Sequence, residues 1–120
     1  MKRIRMVTAL AVVAALALVP VTQARQQKTT LNAVVGPGFN ITLKKTSGAK
    51  VTTIPHGVYV IKVSDKSPIH NFRLTGPGVK KTTSVKAVGN ATWTLTLKAG
   101  KYTFVCDPHA AAMKGTFRVT

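Results

Sequence analysis

A cysteine, a histidine and a methionine fall within eight residues near the C-terminus, in Cys106-Asp107-Pro108-His109-Ala110-Ala111-Ala112-Met113. A thiolate, an imidazole and a thioether make a soft donor set, which suits copper better than calcium, magnesium or manganese. A trigonal copper site of the blue type needs one more imidazole. The chain has two further histidines. His56 lies between Pro55 and Gly57, in a turn, and reads as a surface residue. His70 shares its parity with Phe72 and Leu74 in Ile69-His70-Asn71-Phe72-Arg73-Leu74, so it is expected to face inward at the start of a strand. Cys106 is the only cysteine, which rules out an internal disulfide. In an oxidising compartment a lone thiol calls for an occupant, either a metal or a second chain. The metal-free alternatives are a buried structural thiol at Cys106, a satisfied core histidine at His70 and simple packing at Met113.

The elements that must position these groups read as strands. From Thr30 onward Thr and Val abound, Glu is missing, and Gly or Pro recurs at short intervals. Phe39, Ile41 and Leu43 share one parity, as do Tyr59, Ile61 and Val63, and Trp93, Leu95 and Leu97. Such alternation marks half-buried strands. Tyr102, Phe104 and Cys106 point to one face, and Met113, Gly115, Phe117 and Val119 share a parity on the far side of the loop. The ranges are 30–35, 39–45, 50–54, 58–64, 69–75, 82–88, 92–98, 101–106 and 114–120, some of them irregular. About seven or eight true strands at this spacing predict an all-β, antiparallel two-sheet sandwich.

The N-terminus has a different composition. Lys2, Arg3 and Arg5 precede an apolar run from Met6 to Val19, broken at Pro20 and closed by small residues at Thr22 and Ala24. This is the layout of a secretory signal peptide over residues 1–24, with one domain in 25–120. No later stretch is apolar enough to span a bilayer, so no transmembrane span is expected after cleavage. The mature chain would keep 15 of the 18 basic residues against two acids, Asp65 and Asp107, a formal charge of +13. That charge favours anionic partners and makes association salt-sensitive.

Charge and composition exclude other classes. The lysines are scattered, with no aromatic stacking platform between them, so nucleic acid is not expected as a partner. A cysteine-nucleophile enzyme needs an oriented base and an oxyanion site. The chain has no glutamate, and alternation turns Asp107 away from Cys106. Structural zinc normally takes more cysteines or histidines and rarely methionine.

Two stretches carry a family resemblance. Residues 102–117, Tyr-Thr-Phe-Val-Cys-Asp-Pro-His-Ala-Ala-Ala-Met-Lys-Gly-Thr-Phe, resemble the ligand loop of the cupredoxins, the plastocyanin/azurin family of blue copper proteins. Residues 70–79, His-Asn-Phe-Arg-Leu-Thr-Gly-Pro-Gly-Val, are similar to that family's upstream histidine strand. The resemblance implies a Greek-key sandwich and one copper ion cycling between Cu(I) and Cu(II). It implies His70, Cys106 and His109 as trigonal ligands and Met113 as the weak axial one. Three residues lie between His109 and Met113, a spacing that varies in the family. Asn71 matches the residue that braces the ligand loop and offers a backbone N–H to the cysteine sulfur. Pro108 matches a proline that, lacking an N–H, leaves the sulfur without a second hydrogen bond.

The expectation is therefore an exported, periplasmic, cell-envelope or extracellular single-electron carrier, monomeric and not an enzyme. Its partner would be an acidic redox protein or an anionic cell-surface component. The alternative is a copper protein for storage, delivery or resistance without an electron-transfer role. By resemblance, the His109 ring edge reaches an apolar surface patch that Pro37 and Pro77 would border.

Overall fold

The structure is a computed structural model and describes residues 11–20 and 27–120. The basic start at Lys2, Arg3 and Arg5 and the cut after Ala24 lie outside the described residues. Residues 11–20 have no regular secondary structure and expose Val12, Val13, Leu16, Leu18 and Val19. Among the described residues no helix is long and apolar enough to cross a membrane.

The strands are β1 (Thr29–Val35), β2 (Ile41–Lys45), β3 (Thr53–Ile54), β4 (Gly57–Asp65), β5 (Arg73–Gly76), β6 (Val79–Thr82), β7 (Gly89–Leu97), β8 (Gly100–Val105) and β9 (Lys114–Val119). Among the described residues a 3-10 turn at Asp107–His109 is the one helical element. The strands form two sheets, in the orders β2-β1-β4-β7 and β3-β9-β8-β5-β6. β1 pairs parallel with β4 and β3 with β9, and every other pairing is antiparallel. The expected all-β sandwich is what the chain forms.

Alternation drives the packing. Along β4, Tyr59, Ile61, Val63 and Asp65 are buried, while Val58, Val60, Lys62 and Ser64 face out. Leu31, Ala33 and Val35 of β1 and Leu97 of β7 meet Leu74, Tyr102, Phe104, Phe117 and Val119 of the other sheet in one core. Removing such side chains from water supplies about 25 cal/mol per Å² of apolar area, the main favourable term of folding. Aromatic pairs add geometry: Tyr102 lies parallel to Phe117 at 5.2 Å, and Phe72 to Phe104 at 5.7 Å.

The register defines two ends. Segments 36–40, 66–72, 83–88 and 106–113 emerge at one end, and turns 46–49, 77–78 and 98–99 at the other. Three expected strands change here. The 39–45 strand starts only at Ile41, because Gly36 N–H donates to Asn40 O at 2.9 Å and closes a loop that carries Phe39 outward. The 69–75 strand starts only at Arg73, since 66–72 form a loop with its own side-chain turns. The 82–88 strand is instead β6, which begins directly after the Gly76-Pro77-Gly78 turn and leaves 83–88 as loop. Pro77 is therefore at the opposite end from His109. There it packs beside Gly100, and its carbonyl accepts from Tyr102 Oη at 3.3 Å.

Candidate metal centre

Four segments of one end build the centre. Cys106 follows β8 directly, in extended backbone, and is fully buried with Tyr102 and Phe104 of the same parity. The loop it opens folds back on itself. Cys106 N–H donates to Met113 O at 3.0 Å, His109 N–H to Cys106 O at 3.1 Å, and Met113 N–H to His109 O at 2.8 Å. Pro108 sits in the first turn of the 3-10 element, where the absence of an N–H costs nothing. The tight turn brings His109, half-buried, back over the sulfur, while Met113 enters β9 fully buried.

His70 reaches the same place from the 66–72 loop. His70, Asn71 and Phe72 are all buried, so the inward position expected from alternation is reached by a loop rather than a strand. Local bonds shape that loop: Asp65 Oδ1 accepts Ser67 N–H at 3.1 Å, and Ser67 Oγ accepts Ile69 N–H at 3.4 Å. Phe72 N–H donates to Thr83 Oγ1 at 2.9 Å, and Thr83 N–H returns to Phe72 O at 3.0 Å. Gly36, with φ of +73°, closes the loop from the other side. A Cβ there would stand 3.0 Å from His70 Cδ2.

The outcome is a triangle of donors. Cys106 Sγ lies 3.6 Å from His70 Nδ1 and 3.6 Å from His109 Nδ1, and the two Nδ1 atoms are 3.1 Å apart. A triangle with those sides has a circumradius of about 2.0 Å, so one point is that far from all three atoms. First-row metal bonds to imidazole and thiolate are roughly 2.0–2.3 Å. The cavity between the donors thus matches one ion of that size, and the soft donors favour copper among the candidates. Of the described residues, this is the group of three His, Cys, Asp or Glu side chains able to share an ion. His56 is remote from it; its N–H and Nδ1 both lie 2.9 Å from Thr120 O at the other end.

A polar clamp ties the two ligand-bearing segments. Asn71 Oδ1 accepts Asp107 N–H at 2.7 Å, and Asn71 Nδ2 donates to Asp107 Oδ2 at 2.7 Å and Thr82 Oγ1 at 3.2 Å. Arg73 grips the same carboxylate through Nε at 2.9 Å and Nη2 at 2.9 Å. The guanidinium holds the Asp107 carboxyl below the usual range, Asn71 adds to this, and partial burial opposes it. Asp107 does turn away from Cys106, and Arg73 does face outward, as alternation indicated. That these two would pair was not legible, because neither is near the other in sequence.

Phe39 also lies elsewhere than its parity with Ile41 and Leu43 predicts. Its ring stands edge-on to His109 at 4.9 Å and to His70 at 5.5 Å, and it is 66 % exposed. The signal was the preceding Gly36-Pro37-Gly38, which breaks the alternation that parity assumed. Phe39, Ile69 and Val88 are large apolar side chains left exposed at this end. Ala110, Ala111 and Ala112 are exposed beside them.

Residues 15–120 match the model of the family described as copper binding proteins of the plastocyanin/azurin type. The chain belongs to that family. Solved structures agree on the fold. Reduced rusticyanin is 22% identical over 81% of this chain and 82% of its own, with a TM-score of 0.60. A rusticyanin variant with a histidine replaced by methionine is 24% identical over 81% and 80%, with a TM-score of 0.58. Rusticyanin from Thiobacillus ferrooxidans is 25% identical over 76% of each chain, with a TM-score of 0.54. A comparison with curated protein sequences gives no significant match. The chain is thus a cupredoxin with copper as its cofactor, and the donor triangle fits that ion. Cupredoxins are in general carriers that meet redox partners rather than enzymes.

Proposed function

We propose that this chain is an exported mononuclear blue copper protein that carries single electrons, with His70, Cys106 and His109 as trigonal ligands and Met113 as the weak axial ligand. The observation that carries the reading is the triangle of one sulfur and two imidazole nitrogens, with sides of 3.6, 3.6 and 3.1 Å. Bound there, copper supplies a one-electron couple whose potential the axial ligand and the sulfur's surroundings tune.

The chain's own part is to hold the donors still. His70 and Cys106 are fully buried, and their segments are cross-braced by Asn71 and Asp107. A frame that changes little between oxidation states keeps reorganisation small. Met113 is fully buried immediately before β9, where the ligand loop closes, which supports the axial role. The half-buried His109 is the natural electron exit, because Phe39 and the alanines around it make a small apolar contact surface. Lys66, Lys86 and Lys114 stand exposed on the loops and strand start of that end, a ring suited to an acidic redox partner. Residues 1–24 act as a cleaved export signal in this reading, leaving 25–120 as the working domain, a monomer in the periplasm, cell envelope or medium.

The test is the absorption and EPR spectrum of the chain loaded with Cu(II). An intense visible thiolate band with a narrow copper hyperfine pattern is the expected result, and a colourless tetragonal spectrum refutes the site. Fast electron self-exchange separates a carrier from a delivery protein, which would instead pass copper to an acceptor.

A further inference from the structure

The chain from residue 25 onward has two acids. Asp107 is exposed and paired with Arg73, the one ion pair among the described residues. Asp65 is the opposite case. It ends β4, is 4 % exposed, and is in no ion pair among the described residues. Its Oδ1 accepts Ser67 N–H, but its Oδ2 is buried without a partner. Among the described residues, one other buried side-chain polar atom lacks a partner, and it is His70 Nε2.

These two orphans are a matched acceptor and donor, and the contacts around both run through Gly36 and Ser67. Nδ1 of His70 belongs to the donor triangle, so Nε2 is on the ring edge that faces away from it. That edge includes Cδ2, which packs against Gly36 beside Ser67: a Cβ on Gly36 would lie 3.0 Å from Cδ2 and 3.2 Å from Ser67 Cβ. Ser67 is the residue whose N–H Asp65 holds. Burial pushes the Asp65 carboxyl up, and the Ser67 N–H and then the charge of His70 pull against it. A buried polar atom left unpaired is costly. Metal-ligating histidines donate their other N–H to a carboxylate, a carbonyl or a water.

We propose that Asp65 is the positioning residue of His70: with Nδ1 committed to the metal, the ring proton sits on Nε2 and is donated toward Asp65 Oδ2 over one water molecule. The inference rests on copper ligation by His70. It gives Asp65 two effects. It selects the tautomer whose Nδ1 lone pair is free, and its negative charge favours the more positive, oxidised state of the centre. The potential is therefore lower than the same ligand set would have without it.

The test compares the wild-type chain with Asp65→Asn, which keeps size and an acceptor but removes the charge. Both are loaded with copper, and the reduction potential is read alongside the exchange rate of the His70 Nε2 proton in the Cu(I) form by NMR. The expected result is a blue variant whose relative affinity for Cu(I) over Cu(II) rises about tenfold, a potential about 59 mV higher. Its Nε2 proton should also exchange faster, because its acceptor is weaker without the charge. A blue variant with unchanged potential and unchanged exchange overturns the inference and leaves the ligand assignment intact. A wild-type chain that shows no blue band overturns the ligand assignment and the inference with it. Should Asp65→Asn fail to fold, the wild-type proton alone decides: a slowly exchanging Nε2–H supports the relay, and one exchanging at the solvent rate overturns it.

Discussion

The two ends of the sandwich are built on opposite terms. At the end away from the donors, polar groups are closed off by tyrosines. Tyr102 Oη donates to Lys98 O at 2.9 Å, and Tyr59 Oη donates to Pro55 O at 2.6 Å. Gly76 lies flat against the Tyr102 ring, where any Cβ would collide with Cδ1 and Cε1. At the donor end, three donor atoms face each other, two buried polar atoms lack partners among the described residues, and apolar side chains reach solvent. One end is satisfied by the chain itself. The other is completed by a metal ion and, in the proposed reading, by a partner. Stability and function are therefore separable by position along the same strands, and substitutions should sort accordingly.

The sharpest break of that contrast is Cys106→Ser. It should abolish the visible band, because a hydroxyl does not replace the thiolate that produces it. Thermal unfolding of the metal-free chain should change far less, since the far-end contacts remain. A variant that keeps its colour in the absorption spectrum would remove Cys106 from the centre. The mirror experiment is Gly76→Ala at the other end. Overpacking against Tyr102 should cost about 1–3 kcal/mol in denaturant unfolding. The band position of the copper-loaded variant should not move. If it does, the two ends are coupled and the separation fails.

How far sequence alone reached follows the same division. Where backbone pairing is regular, period-two parity was enough. It put Tyr59, Ile61, Val63, Tyr102, Phe104 and Phe117 inside, and all of them are buried. It also placed Cys106 and Met113 on the inner edges of their strands, where both are fully buried. It failed in the loops of the donor end. His70 was placed inward for the wrong reason, because Asn71 beside it is buried too and no alternation exists there. Phe39 was assigned to the core and instead covers the two histidines from outside. Asp65 had the inward parity of its strand, so its burial was readable. Its relation to His70 was not, since it depends on how Gly36 and Ser67 bring the 66–72 loop down. Loops that build a site are shaped by long-range contacts, and these leave no periodic trace.

A smaller effect sharpens the donor end from within. Met113→Leu should keep the colour and the fold, as a volume-conserving swap in a fully buried position. Loss of a weak axial thioether should raise the reduction potential, measured by voltammetry, because the removed donor helps the oxidised ion more. An unchanged potential would make Met113 a packing residue like Phe117.

The smallest effect tests the far end at alkaline pH. Burial pushes the Tyr102 hydroxyl up, only partly offset by its bond to the Lys98 carbonyl, and burial alone pushes Tyr59 up. A phenol whose folded-state pKa is raised contributes stability that is complete below the unfolded value, about 10. That contribution is lost as pH rises through the folded value. Unfolding free energy should therefore fall in the alkaline range beyond pH of about 10, and less steeply in Tyr102→Phe. At neutral pH the same variant loses the hydroxyl proton shared between Lys98 O and Pro77 O, worth about 0.5–1.5 kcal/mol net. The two curves should converge as pH climbs, since ionisation removes from the wild type what the substitution has already removed. Lysine deprotonation affects both chains alike and cancels in the difference. Parallel curves would mean that Tyr102 stays protonated or that its ionisation leaves the far end closed. The neutral-pH difference between the two chains separates these cases, since a bond that holds the far end costs the variant stability there.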